Sequence, residues 1–174
     1  MDSKSVRHQG EFYEMYYEVD LTKYKNKNTK NHLVFNSFNF SPFQLKAIEY
    51  ELDNFKDSFG KSWKEFDIKE LEYRMNNNWK MFLFGSGRTG EVILEGWSFI
   101  DWNYKYPYLK NRYVCPDFRG QGLGTELMNC RFNYLKDNNH NIFYGFVEDW
   151  NKPAIPILQQ EGIWKEIKKS DIYR

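Results

Sequence analysis

Cysteine is nearly absent. Cys115 and Cys130 are the only two in 174 residues, and their spacing fits no metal site. The three histidines, His8, His32 and His140, are scattered, so no metal is expected. An excess of one charge sign is also missing. Lys and Arg total 25 against 24 Asp and Glu, for a formal net charge of +1. A nucleic-acid binder normally carries a basic excess or stripe, so no nucleic-acid partner is expected. No apolar run approaches the roughly 18 residues needed to span a bilayer, which argues against a membrane partner. The first ten residues, MDSKSVRHQG, lack the apolar core of a signal peptide. Together these absences predict a reduced, cytoplasmic location.

Apolar residues make up 41% of the chain and aromatics 20%, enough for one domain with a sizeable core. The whole chain, 1–174, reads as a single domain, with 1–31 as an N-terminal extension able to add a strand. Phe12–Val19 and His32–Phe40 carry strand-forming patterns. The intervening run Lys23–Lys30 reads as a solvated loop. Ser41-Pro42 supplies an N-cap and a first-turn proline. Leu45, Ile48, Leu52, Phe55 and Phe59 then recur at helical steps, and Gly60 closes that helix. Asp67 caps a second helix bearing Ile68, Leu71 and Met75. Strands follow at Trp79–Phe84, Glu91–Ile100 and Tyr108–Val114. A helix at Leu123–Lys136, a strand at Ile142–Val147, a short helix at Pro153–Gln160 and a strand at Trp164–Ile167 complete a mixed α/β order.

Two glycine clusters are present. Gly85-x-Gly87-x-x-Gly90 has the spacing of a dinucleotide-binding turn, but a strand follows it instead of the required helix, so it reads as a hairpin loop. Gly120, Gly122 and Gly124 lie between a strand and a helix. A turn without side chains lets successive N–H groups converge on one anion, and the helix start adds about half a positive charge. That arrangement suits a diphosphate.

The segment Val114-Cys115-Pro116-Asp117-Phe118-Arg119-Gly120-Gln121-Gly122-Leu123-Gly124-Thr125-Glu126-Leu127 resembles the acyl-CoA-binding motif of the GNAT superfamily of N-acyltransferases. Its core is Arg or Gln, two residues, Gly, one residue, then Gly or Ala, matched by Arg119, Gly122 and Gly124. Asn151, Ala154 and Gly162 match the family's later motif. The resemblance implies a mostly antiparallel central sheet flanked by helices, splayed where the strands Tyr108–Val114 and Ile142–Val147 diverge. It implies acetyl-CoA as co-substrate. Main-chain groups of Arg112, Tyr113 and Val114 would pair with the pantetheine arm. Arg119, Gly120, Gln121, Gly122, Leu123, Gly124 and Thr125 would surround the diphosphate, and Asn151 would lie near the sulfur.

The implied reaction moves an acetyl group to a primary amine of a small molecule such as an amino sugar, polyamine or amino acid. A protein amine and non-catalytic acyl-CoA binding are the alternatives. The family's usual acid-base positions hold Leu158 and Phe146 here. Glu148 and Asp149, at the exit of the strand lining the splay, are the candidate bases. Asp101 and Glu95 rank lower. Tyr108, with Tyr106, is the candidate acid. A homodimer is compatible with the sequence, which says nothing for or against it.

Overall fold

The computed structural model describes residues 14–59, 66–86, 93–148 and 163–172. The fold follows from short local signals. Before the first helix, Ser41 and Gln44 form a reciprocal capping box. The Ser41 N–H donates to Gln44 Oε1 at 2.8 Å, and the Gln44 N–H donates to Ser41 Oγ at 3.2 Å. That box starts α1, Pro42–Phe59, which buries Ile48, Leu52 and Phe55. Asp67 Oδ1 accepts the Glu70 N–H at 2.9 Å and starts α2, Ile68–Asn76. Leu71 and Met75 face inward from it.

Seven strands form one sheet: β1 Glu14–Asp20, β2 Leu33–Phe35, β3 Trp79–Ser86, β4 Ile93–Asp101, β5 Tyr108–Val114, β6 Ile142–Glu148 and β7 Ile163–Ile167. Their order across the sheet is β2-β3-β4-β5-β6-β1-β7. Every neighbouring pair is antiparallel except β5 and β6. The N-terminal strand β1 lies between β6 and β7, with Tyr17 opposite Gly145 on one side and Glu166 on the other.

The third helix, α3 (Leu123–Asp137), covers one face of the sheet with Leu127, Cys130, Phe132 and Leu135. The helices α1 and α2 cover the other face, over Met81, Leu83, Trp97, Phe99 and Tyr113. Each fully buried side chain of this size contributes roughly 1.5–3 kcal/mol, so both layers are strongly held. Close approach of the β5 backbone depends on Gly96, with α3 packed just beyond it. A Cβ there would sit 2.5 Å from the Tyr113 carbonyl oxygen and 3.2 Å from Leu127 Cδ1.

One sequence expectation changes. The strand expected over 32–40 is only three residues long. Phe40 instead turns back onto Phe35, with ring centroids 4.5 Å apart. The Lys23–Lys30 run is the solvated loop expected, exposed except at Tyr24 and Thr29, and it is tied along α3. Asn133 accepts from the Lys27 N–H at 3.0 Å and from the Tyr24 hydroxyl at 2.8 Å, and Glu126 accepts the Lys30 N–H at 2.8 Å. The expected helix Pro153–Gln160 lies outside the described residues.

Candidate functional site

The site begins where the sheet comes apart. β5 and β6 meet in register only at Tyr108 and Tyr144, where the Tyr144 N–H also donates to the Pro107 carbonyl at 2.8 Å. Beyond that point no pairing joins them, and β6 pairs with β1 instead. The edge of β5 that faces the gap therefore presents main-chain groups. At its end the Cys115 N–H donates across to the Glu95 carbonyl of β4 at 2.9 Å. Ladder alternation then turns the main chain of Val114 and Arg112 the other way, into the gap. The Val114 carbonyl already accepts Arg119 Nε at 2.9 Å, so the Val114 N–H and the Arg112 amide groups are what that edge offers.

Immediately beyond lies the glycine turn. Gly120 has φ +79° and Gly122 φ +81°, and a Cβ at either would meet nothing within 4 Å. Both positions are left-handed and open on their outer side, a combination that suits glycine. Gly122 starts α3 with no side-chain cap, so the donors of the helix start are directed at the same open space. Gln121 and Thr125 are exposed there. Leu123 is a core residue, 5% exposed, and brings only its main chain to the turn. Gly124 has an ordinary backbone, and its place is explained by Arg112, whose Nε lies 3.6 Å from where its Cβ would be. Arg112 thus joins the two halves, with its main chain on the β5 edge and its guanidinium under the first turn of α3. Burial holds its pKa below the usual arginine value.

The opposite side of β5 carries a cavity of about 720 Å³ between α1, the start of β4 and residues 115–118. Phe43, Tyr50, Leu94 and Phe118 make much of its wall, and Glu51, on α1, is one of its few charged groups. Glu51 Oε2 accepts the Tyr113 hydroxyl at 3.2 Å. Burial first, then the charges of Cys115 and Glu51, raise the Tyr113 pKa far above the usual tyrosine range. Burial and the Glu51 carboxylate likewise raise that of Cys115, so its thiol stays protonated and is no nucleophile.

Of the remaining expected residues, Tyr108 is buried at the closed end of the gap. Its ring packs against Tyr104, Tyr144 and Phe146, with Lys110 Nζ 3.6 Å from its centroid. Glu148 ends β6 by its main chain, opposite Glu14. Asp149 and Asn151 lie outside the described residues. Glu51 was not expected from sequence. It flanks the apolar stripe of α1, and nothing local ties it to a strand residue 62 positions away.

The acetyltransferase (GNAT) family model matches residues 48–162, from within α1 through the splayed strands and the glycine turn. The chain belongs to the GNAT acetyltransferase family. Its resemblance to known sequences is local. It is 33% identical over 61 residues to thialysine N-epsilon-acetyltransferase from Sus scrofa, covering 35% of this chain and 36% of that one. The chain therefore spans about a third of the curated relatives it matches. Among solved structures, a GNAT-family acetyltransferase described as putative, from Novosphingobium aromaticivorans, superposes with a TM-score of 0.59 at 11% identity. That match covers 94% of this chain and 66% of the other. A GCN5-related N-acetyltransferase from Sphaerobacter thermophilus gives 0.58 at 11% identity, with 88% and 48% covered. At such identities the likeness is one of fold: among the described residues, a seven-stranded, mostly antiparallel sheet flanked by three helices. The family uses acetyl-CoA as its co-substrate. Among the described residues no helix is long and apolar enough to cross a membrane.

Proposed function

We propose that this protein transfers the acetyl group of acetyl-CoA to a primary amine of a small molecule. The observation that carries the reading is the continuity of two donor sets. An open β5 edge at Arg112–Val114 runs into an uncapped, glycine-lined helix start at Gly120–Thr125. The first set matches a chain of amides and the second a diphosphate, which adjoin one another in coenzyme A.

The residues divide the work. The donors of Gly120–Thr125, with Arg112 beneath them, hold the diphosphate. The Val114 N–H stands ready to take charge developing on a carbonyl oxygen, which fixed backbone donors stabilise without reorganisation. Bound acetyl-CoA supplies an activated acyl group. The amine nitrogen bonds to its carbonyl carbon as the C–S bond breaks, the amine loses a proton and the thiolate gains one. Positioning supplies much of the rate in such a transfer. On the acceptor side, the Glu51 carboxylate beside the Phe43, Tyr50, Leu94 and Phe118 wall favours a cationic amine on an apolar frame, and Glu51 with Tyr113 is the anchor this reading assigns. Glu148 or Asp149 remains the proposed base.

The test is calorimetric titration with acetyl-CoA, then thiol release across a panel of amino sugars, polyamines and amino acids. Binding with turnover of at least one amine is expected. No acetyl-CoA binding up to millimolar concentration would remove the proposal. Binding without turnover on any amine, peptides included, would favour a non-catalytic acyl-CoA module.

A further inference from the structure

The strand that faces the gap is irregular. Along β5, Arg112 pairs with Ser98 but Lys110 pairs with Phe99, leaving Asn111 as an unpaired bulge. Asn111 has φ +27°, rare for a residue with a side chain, and its Oδ1 is buried without a partner. The bulge has a large consequence. In an unbroken strand Lys110 and Arg112 would share a face. Here Lys110 lies with Phe99 on the α1 side, while Arg112 reaches Gly124 and Met128 of α3. The same switch points Tyr113 at Glu51. Both halves of the candidate site therefore depend on one inserted residue.

One group on α3 holds that irregularity. Arg131 is 4% exposed, and its Nη1 donates to the Phe99 carbonyl at 3.2 Å and to the Lys110 carbonyl at 3.0 Å. These carbonyls belong to the pair that borders the bulge. Among the described residues Arg131 has no carboxylate partner, and its Nε has no partner either. A buried cation in that state costs folding free energy. Burial, then the nearby Arg112 charge, lowers its pKa. Core packing alone would be better served by an apolar side chain, so the two carbonyl contacts are the feature that accounts for an arginine here.

We propose that Arg131 is a positioning residue for the transfer: by clamping the carbonyls of Phe99 and Lys110 it holds the Asn111 bulge, and with it the orientation of Arg112, Tyr113 and Val114 toward their ligands. Because α3 also begins at the glycine turn, roughly 12 Å away along the helix, the clamp fixes the β5 edge relative to the diphosphate cradle. The inference rests on the acyl-transfer reading for its kinetic part but not for its structural part.

The test compares the wild type with Arg131→Met, which keeps length without donors, and Arg131→Lys, which keeps the charge. Three quantities are measured: calorimetric affinity for CoA, kcat and KM on the best amine, and amide hydrogen exchange of peptides spanning 109–114. For Arg131→Met, kcat falls on the order of 10- to 100-fold. CoA affinity falls on the order of tenfold, because the β5 edge and Arg112 loosen while the glycine turn itself keeps its donors, and exchange over 109–114 speeds up. Arg131→Lys recovers part of kcat. A variant that melts differently but keeps wild-type kcat and exchange would show that Arg131 only fills space, and the proposal would fail. Should the wild type turn over no amine, exchange decides alone. Faster exchange in Arg131→Met then upholds the clamp while the acyl-transfer reading falls, and unchanged exchange sinks the clamp. If Arg131→Met does not fold, Arg131→Lys is read by the same three criteria.

Discussion

Replacing Gly122 by alanine separates the phosphate-cradle reading from a purely structural turn. The new Cβ would meet nothing within 4 Å, so no collision contributes, and the whole cost comes from holding a side-chain-bearing residue at φ +81°. That costs roughly 1–2 kcal/mol. In a chain of this length about 2–4 °C of melting temperature goes with each kcal/mol, so a fall of ~2–8 °C is expected. The strain is relieved if residue 122 rotates to negative φ, which turns its N–H and those beside it away from their common focus. Losing one charge-assisted hydrogen bond of about 1.5–3 kcal/mol weakens acetyl-CoA binding on the order of 10- to 100-fold. Gly124→Ala is the internal control. Its backbone is ordinary, and its Cβ would make only a 3.6 Å contact with Arg112, so affinity should move less than about threefold. Differential scanning fluorimetry and calorimetry read the two quantities. A Gly122→Ala protein that melts lower but binds acetyl-CoA like the wild type would refute the cradle. A Gly124→Ala protein more damaged than Gly122→Ala would refute the geometric argument behind the ranking.

Glu51→Gln should raise KM for the acceptor roughly 10- to 100-fold, the equivalent of one charged hydrogen bond, and leave acetyl-CoA affinity unchanged; an unaltered acceptor KM would move the amine out of this cavity. Gly96→Ala places a Cβ 2.5 Å from the Tyr113 carbonyl oxygen, so an overpacking cost of about 1–3 kcal/mol and loss of turnover are expected together; a variant as stable as wild type would contradict the close approach of β5 to β4 at this point. Cys115 is buried, and its pKa is raised by burial and by Glu51. Its thiolate fraction therefore stays negligible up to pH 9, and iodoacetamide should fail to label it in the native protein while labelling it after unfolding; rapid native labelling would overturn that assignment.

What could be read from sequence was whatever is encoded within one or two turns of chain. The N-cap at Ser41, the Asp67 cap, the bounds of β5 and the glycine turn at 120–124 all rest on signals between near neighbours; the reciprocal bond from Gln44 and the positive φ of Gly120 and Gly122 came only with the structure. The splay was legible in its position because the motif names the strand, and β5 and β6 do separate beyond Tyr108 and Tyr144. The chain's return at Phe40 onto Phe35 was not, because alternation cannot tell a continuing strand from an aromatic cluster that folds back. Nor were the contacts that assemble the cavity proposed for the acceptor, which join α1 to β5 over 62 residues.

The least legible features are the two bulges, and they matter most to the site. A period-2 pattern assigns faces by counting, so one unpaired residue inverts every later assignment. At the β3–β4 junction the register passes from Gly96 to Leu94, leaving Glu95 unpaired; its buried carboxylate meets Lys30 at 2.6 Å. At Asn111 the same insertion sends Arg112 to the glycine turn and Tyr113 to Glu51. Counting from Tyr108 would have put Arg112 on the acceptor face and Tyr113 under α3. The chemistry of those two residues would then have been exchanged between the two halves of the site. The local sequence Lys-Asn-Arg holds a hint, since asparagine tolerates positive φ better than most residues. What holds the bulge in place, however, is a guanidinium twenty residues further on, and only the packing of α3 on the sheet brings it there.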